Sequence, residues 1–390
     1  VILAYHPIAN EWSSSTSHYF GQTTLTSHTT YAASPPELQW EIRDQQWTPL
    51  VGIVVSDRAD STPIGQRSFY TGIARTLFQN GAMTVLFSME EFREDGLTGW
   101  IYHPESNRWL SLSCPVPNVL YNRMASRGEE KTAQFYRLQA WCKKNHLQLV
   151  NSRFFDKWET YEALSDIKAL QPYTLETSRV EGAEATRNFL QKYGTIYVKP
   201  RNNGKGIGIR RVHLLTDETL QEDTPNTTRK FSDFLAWWES IAPLKEEYLL
   251  QQGIDPFKQK QKRFDFRCLV HCPLDDSSTL LGVGIRQSGS QDITTHVPRG
   301  GYVRTETTFS RWIPFQRLQN MVKAMTPALK EKYGKLIEYT VDAGLDDRGK
   351  LYWFEVNAKP MLFNEKKIEE KRRQALATWL CQQAVETKPT

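Results

Sequence analysis

From residue 50 onward the hydrophobic and polar positions fall into two alternating patterns. LVGIVVS (50–56) and MTVLFS (83–88) are unbroken apolar runs of the length expected for strands buried on both faces. Between them, 69–80 carries apolar residues at helical spacing and is stopped by Gly81. This strand–helix–strand order predicts a parallel α/β unit. PNVLYNRM (117–124) reads as a further strand, 129–145 as a helix and HLQLVN (146–151) as another strand, so the stretch 48–150 is predicted to be one α/β domain. The first 47 residues are polar and rich in Ser and Thr, with Trp12, Tyr19, Phe20, Tyr31 and Trp40 spread among them. Aromatic residues at that density predict short strands rather than disorder.

Beyond residue 150 the helical stretches are shorter and the strands are punctuated by glycine. In RFFDKWETYEALSDIKAL (153–170), Asp156 is placed to cap a helix and Glu159 to complete a capping box. Trp158, Tyr161, Leu164 and Ile167 mark its apolar side. Lys157 then occupies the first helical position, where the dipole disfavours a cation unless an anion is held nearby. TIYVKPRNNGKGIGI (195–209) is a strand ending in Lys199-Pro200, then a loop with Gly204, Gly206 and Gly208, then a second strand. EEYLLQQGIDPF (246–257) reads as a strand entering a connection. RFDFRCLVHC (263–272), LLGVGIRQSG (280–289) and ITTHVPRGGYVR (293–304) are three further strand segments. Helices are expected over 315–332, with a break at Pro327, and over 364–385, the latter across the domain exterior.

The sharpest local pattern is KLIEYTVDAGLDDRGKLYWFEVNAKP (335–360), two aromatic-rich strands around the turn composition Asp346-Asp347-Arg348-Gly349. A turn centred between Arg348 and Gly349 sets 347 opposite 350 and Asp342 opposite Glu355. Asn357, two residues on, projects from the same face. Directly opposed carboxylates weaken a sheet unless something positive lies between them. Asp, Glu and Asn oxygens suit a hard divalent cation, which fits Mg²⁺ held jointly with substrate phosphates, although a solvated acidic face is the plain alternative. Lys199 at a strand end, beside amides freed by glycines, is the arrangement that holds di- and triphosphates. No GK[ST] follows and the next element is a strand, so this is not a Walker A loop, and no GxGxxG is present. The plain alternative is a glycine-rich hairpin with surface lysines. Arg267 and Arg286 fall mid-strand in apolar surroundings and need partners; phosphate oxygens or Asp265 and Asp292 would serve. The backbone around 250–253 could receive a nucleobase.

Composition narrows the classes. The 390 residues suffice for two or three domains, and 39% hydrophobic with 24% charged content is ordinary for a globular chain. No apolar run is long enough to span a membrane, and VILAYHPIAN lacks the basic region and apolar core of a secretory signal. Five scattered cysteines without metal-ligand spacing fit a reduced, cytoplasmic compartment. A net charge of +5 suits an anionic substrate and is too weak for nucleic-acid binding.

In order, PNVLYNR, NSRFFDKWETYEAL, YVKPRNNGKGIGI, YLLQQGI, FDFRCLV and VDAGLDDRGKLYWFEVNAKP resemble the ATP-grasp superfamily over 151–385, and within it the YheC/YheD-like, endospore coat-associated branch. From Asp265 onward the chain is also similar to the ribosomal-protein glutamate ligases, with their DxR strand, later Arg and Gly-Gly loop (Arg299-Gly300-Gly301). The resemblance implies an α/β and α+β chain: a small N-terminal β segment (1–47), a parallel pre-ATP-grasp α/β domain (48–150) and an ATP-grasp domain (151–385) of two α+β subdomains around a nucleotide cleft. It implies ATP and Mg²⁺ as cofactors. Lys157 and Lys199 would contact the α- and β-phosphates, with Asn203, Gly204, Lys205, Gly206 and Gly208 closing over them. Gln251, Gln252 and Ile254 would frame the adenine, and Asp342, Glu355 and Asn357 would hold Mg²⁺. Arg267 and Arg286, with Lys199, would be catalytic. Ligases of the D-alanine type carry an Arg two residues before the first metal Asp, where this chain has Thr340, so either Arg286 would take over that work or the acceptor chemistry would differ.

The activity so implied is an ATP-dependent carboxylate–amine ligase working through an acyl phosphate. The partners would be a carboxylate donor and an amine acceptor, an amino acid, a peptide or a spore-coat protein, with neither nucleic acid nor membrane. Two other classes compete: a kinase using the same nucleotide site, and a non-catalytic nucleotide-binding scaffold of the spore coat.

Overall fold

The structure is a computed structural model that describes residues 1–27, 34–43, 46–56, 67–94, 96–202, 206–241, 248–275, 277–291, 293–304 and 309–387. The apolar runs become the centre of a mixed sheet. Leu50–Val54 pairs in parallel with Met83–Phe87 on one side and Val119–Asn122 on the other, and Gln148–Val150 extends the parallel set. Every residue of Leu50–Val54 and Met83–Phe87 is buried, as their lack of alternation requires. The antiparallel pair Gly96–His103 and Arg108–Cys114, which the sequence pattern did not single out, widens this sheet beyond Met83–Phe87. The N-terminal segment forms two three-stranded sheets of short strands, with Tyr5, Trp12, Phe20 and Trp40 in one aromatic cluster.

Two six-stranded sheets follow. One is built around Thr195–Pro200, flanked by Tyr248–Gln252 and Arg210–Leu214. The other runs from Tyr302–Arg304 through Thr279–Gln287, Lys262–His271 and Glu338–Leu345 to Leu351–Asn357. Helix Phe315–Tyr333 covers the second sheet with Leu318, Met321, Val322, Met325 and Leu329. Pro327 lies inside this helix and does not break it. The missing amide bond costs less than exposing that continuous apolar face would.

The last helix, Lys366–Glu386, departs from expectation. Instead of crossing an exterior surface, it buries Leu376, Ala377, Trp379, Leu380 and Ala384 in one core with Val51, Ile53, Phe69 and Ile73 of the first α/β sheet. Its charges made it read as a surface helix. Arg372 and Glu369 are themselves buried: Arg372 grips both Glu338 and Glu369, and the Phe363 amide donates to Glu369 Oε1.

Candidate active site

The alternation in Thr195–Pro200 decides where Lys199 goes. Ile196, Val198 and Pro200 are buried on one face, so Tyr197 and Lys199 must project from the other, and both line a cleft between the two six-stranded sheets. The cleft encloses about 1000 Å³, part of it open to solvent. Lys199 donates to the Oε1 of Gln251, which is itself buried on the neighbouring strand. Helix Lys157–Ser165 enters from a third direction. Its cap Asp156 accepts from the amides of Trp158 and Glu159, and its second oxygen accepts from Arg201 Nε at 2.7 Å. That shared carboxylate ties the helix start to the end of the Lys199 strand and fixes Lys157 over the cleft. Burial pushes the Asp156 carboxyl up, but Arg201 and the helix amides outweigh it and hold it below its ordinary value. Glu159 pairs with Arg153 at 2.9 Å, so it does not complete the predicted capping box.

On the opposite wall the strand registers align four positions in a row. Gly284 lies opposite Arg267, Arg267 opposite Asp342, and Asp342 opposite Glu355. The expected Asp342–Glu355 pair is present, yet its route differs from the one predicted. The turn closes 346 on 350, one position off, and a bulge after Asp342 restores the register by inserting Phe354. The bulge turns both Phe354 and Glu355 into the cleft lining.

Five cations (Lys157, Lys199, Arg263, Arg267, Arg286) and three carboxylates (Asp265, Asp342, Glu355) line the same space. Lys157 Nζ stands 3.4 Å from Glu355 Oε1. Burial alone would raise the Glu355 carboxyl; the charges of Lys157 and Lys199 reverse this and hold it low. Asp342 is raised, chiefly by burial, against the opposing pull of Arg267 and His296. Burial pushes Lys199 down to about 8. Among the described residues no three His, Cys, Asp or Glu side chains could hold a metal by themselves. Two opposed carboxylates, one destabilised by its own burial, do fit a Mg²⁺ whose remaining ligands come from phosphates and water.

Of the residues named from sequence, Lys157, Lys199, Gly206, Gln251, Gln252, Ile254, Arg267, Arg286, Asp342 and Glu355 line the cleft. Gly208 and Asn357 do not line it, although Asn357 pairs with Thr340 on the same strands. Asn203, Gly204 and Lys205 lie outside the described residues. Arg286 is engaged by Glu365 at 2.6 Å, not by Asp265, which is taken by Arg263 at 3.1 Å; Asp292 is outside the described residues. Arg263 was not singled out. It reaches across from the second sheet to the Tyr197 hydroxyl at 3.0 Å and so joins the two walls of the cleft. Thr295, whose hydroxyl donates to Asp265 at 2.8 Å, and His296 were also missed: 293–304 reads as a strand, but only Tyr302–Arg304 pairs as one, and these two residues lie in the loop before it. The one signal for Arg263 was a basic residue at the head of an alternating strand.

Gly208 adopts φ +75°, and a Cβ there would lie 2.8 Å from Pro200 Cγ. Gly208→Ala is therefore expected to cost about 1–2 kcal/mol, read as a lowered urea midpoint.

The comparisons agree with this architecture. The chain is 26% identical over 332 residues to the endospore coat-associated protein YheD of Bacillus subtilis (strain 168), covering 80% of this chain and 72% of that protein. It is 22% identical over 292 residues to the endospore coat-associated protein YheC of the same organism, covering 71% and 80%. Among solved structures, D-alanyl-alanine synthetase A from Vibrio cholerae O1 biovar eltor str. N16961 has the same fold, with TM-score 0.53, 12% identity, and coverage of 87% of this chain and 99% of that one. No helix among the described residues is long and apolar enough to cross a membrane. With two sheets enclosing the cleft and a family model matching residues 146–383, the chain belongs to the YheC/D-like ATP-grasp family.

Proposed function

We propose that the chain is an ATP- and Mg²⁺-dependent carboxylate–amine ligase that works in the cleft between its two six-stranded sheets. The observation carrying this reading is that Lys157 and Lys199 face Asp342 and Glu355 across one shared space, although they come from distant parts of the sequence. Lysines on one side and paired carboxylates on the other are what a nucleotide's phosphate tail requires. Lys157 and Lys199 hold the α- and β-phosphates, and Gln251, Gln252 and Ile254 frame the base. Mg²⁺, held by Asp342 and Glu355, supplies charge neutralisation on the phosphates when bound.

In this reading a donor carboxylate oxygen attacks the γ-phosphorus and ADP departs. An amine then attacks the acyl carbon, phosphate leaves, and the amine loses a proton. Arg267, opposite Asp342, places a fixed cation where phosphoryl charge spreads in the transition state. The fold-mate is a D-alanyl-alanine synthetase, and the curated relatives are endospore coat-associated. We therefore take the donor and acceptor to be amino acids or peptides, with a spore-coat protein as one candidate acceptor. The test is incubation with ATP, Mg²⁺ and pools of amino acids and peptides while phosphate, ADP and product mass are followed. Phosphate release with an amide-mass product supports the ligase. A phosphorylated product would make it a kinase, and binding without turnover would leave a scaffold.

Lys199 gives a pH signature. Its ammonium titrates near 8 in the folded protein because of burial, against the ordinary 10.5 when unfolded. Below 8 the folded protein carries the full penalty of a buried charge. Between these two values only the unfolded chain holds the proton, so this group's contribution to stability improves as pH rises. Phosphates bind the protonated form, so ADP affinity should be flat below pH 8 and fall above it, by up to about tenfold per unit. Lys199→Arg, which stays charged, should flatten the profile in a calorimetric titration.

A further inference from the structure

Arg286 lines the cleft, yet its guanidinium is already engaged. Nη1 donates to Glu365 Oε1 at 2.6 Å and Nη2 to Oε2 at 3.3 Å, a two-pronged pair with both side chains largely buried. Glu365 caps the last helix through its backbone only: its carbonyl accepts from Ile368 and Glu369, and its side chain caps nothing. A carboxylate at a helix start would ordinarily turn to the free amides. Here it turns to Arg286 instead. The pair packs against Gly284, where a Cβ would come within 2.9 Å of both Arg286 Nη1 and Glu365 Oε1. Gly284 is the position opposite Arg267, so the pair closes the end of the row that runs to Asp342 and Glu355.

We propose that Glu365 is a resident carboxylate on Arg286, a positioning residue that keeps the guanidinium engaged until a phosphoryl group takes its place. The proposal rests on the ligase reading for its role, but not for its test. In the resting protein the pair is neutral, so Arg286 adds little attraction for a phosphoryl oxygen. A phosphoryl group that displaces Glu365 gains Arg286 and leaves Glu365 beside the positive end of its own helix, where its charge is tolerated. No bond is made or broken in this exchange; one oxyanion replaces another on the same donors. Through Glu365 the exchange also bears on the helix that packs into the first α/β domain.

The test uses the full chain and inorganic phosphate, titrated calorimetrically into the native protein, Glu365→Gln, and Glu365→Gln combined with Arg286→Gln. Glu365→Gln should bind phosphate about tenfold more tightly than the native protein, and the double variant should lose that gain. Equal affinity in the native protein and Glu365→Gln would overturn the proposal, and so would a gain that survives loss of Arg286. Should Glu365→Gln fail to fold, Glu365→Ala decides. It removes the carboxylate altogether and should also tighten phosphate binding, and no change there would overturn the proposal. The source of the phosphoryl group is read from the affinity of β,γ-imido-ATP relative to ADP, both with Mg²⁺. A ratio that rises in Glu365→Gln assigns the seat to the nucleotide's terminal phosphate; an unchanged ratio alongside tighter phosphate binding assigns it to the phosphoryl group after transfer. Failure of every protein to bind nucleotide would remove the ligase reading, while the phosphate comparison would still decide this inference.

Discussion

Glu355→Gln is expected to lower ATP-dependent turnover by at least about a thousandfold while leaving the protein folded. Glu355 is the point at which the two walls of the cleft meet electrically. It faces Asp342 across the strand pair and stands 3.4 Å from Lys157. The amide has the same shape and keeps the backbone ladder, so the sheet survives. What disappears is one of two charges that would hold Mg²⁺. Loss of the pair with Lys157 is offset by relief of the repulsion felt by Asp342, and the melting temperature should therefore move little. The measurement is ADP formation beside calorimetric melting, with ADP affinity taken with and without Mg²⁺. In the native protein Mg²⁺ should tighten ADP; in Glu355→Gln that effect should vanish. Unchanged activity would remove Glu355 from the metal site.

The largest effect on stability is expected from Arg372→Met. Arg372 is fully buried and grips Glu338 with Nε at 2.7 Å and Nη2 at 2.6 Å. The same carboxylate accepts from the Tyr121 hydroxyl at 2.6 Å, and Arg123 stands 3.6 Å away. These residues come from the first α/β sheet, from the strand that carries Asp342, and from the last helix. Removing Arg372 leaves Glu338 short of its main counter-charge in the interior, which should cost about 3–5 kcal/mol. The sign of the pH dependence follows. Burial alone would raise the Glu338 carboxyl, but Arg372 outweighs it and holds the group below its ordinary value of 4.5. Stability from this group is thus present above that value and is lost as pH falls through the depressed one. In Arg372→Met the depression weakens, so acid unfolding should begin at higher pH. A chemical-denaturation series across pH checks both statements. Glu338→Gln together with Arg372→Met should recover part of the loss, because Glu338 then carries no buried charge, while Glu369 and Arg123 still lose their partners.

What could be read without a structure was what neighbouring residues enforce on one another. Unbroken apolar runs specify the buried parallel strands, and alternation in Thr195–Pro200 sends Lys199 to the face opposite the core. Asp156 announces the helix that begins at Lys157. The opposition of Asp342 and Glu355 was legible as well, through a turn misplaced by one residue and a bulge that corrected it. Bulges leave no pattern in one strand alone, because they belong to the pairing of two.

The amino-acid order by itself determined most of the elements and the kinds of side chain they would offer. Tertiary structure alone decided which faces meet. It brought Lys157 and Lys199 to Asp342 and Glu355, gave Arg286 to Glu365 rather than Asp265, and drew a charged terminal helix against the core of the first α/β sheet. The reason is range: turn chemistry and periodicity act over a few residues, whereas the partner of a buried charge is chosen by the packing of every element around it.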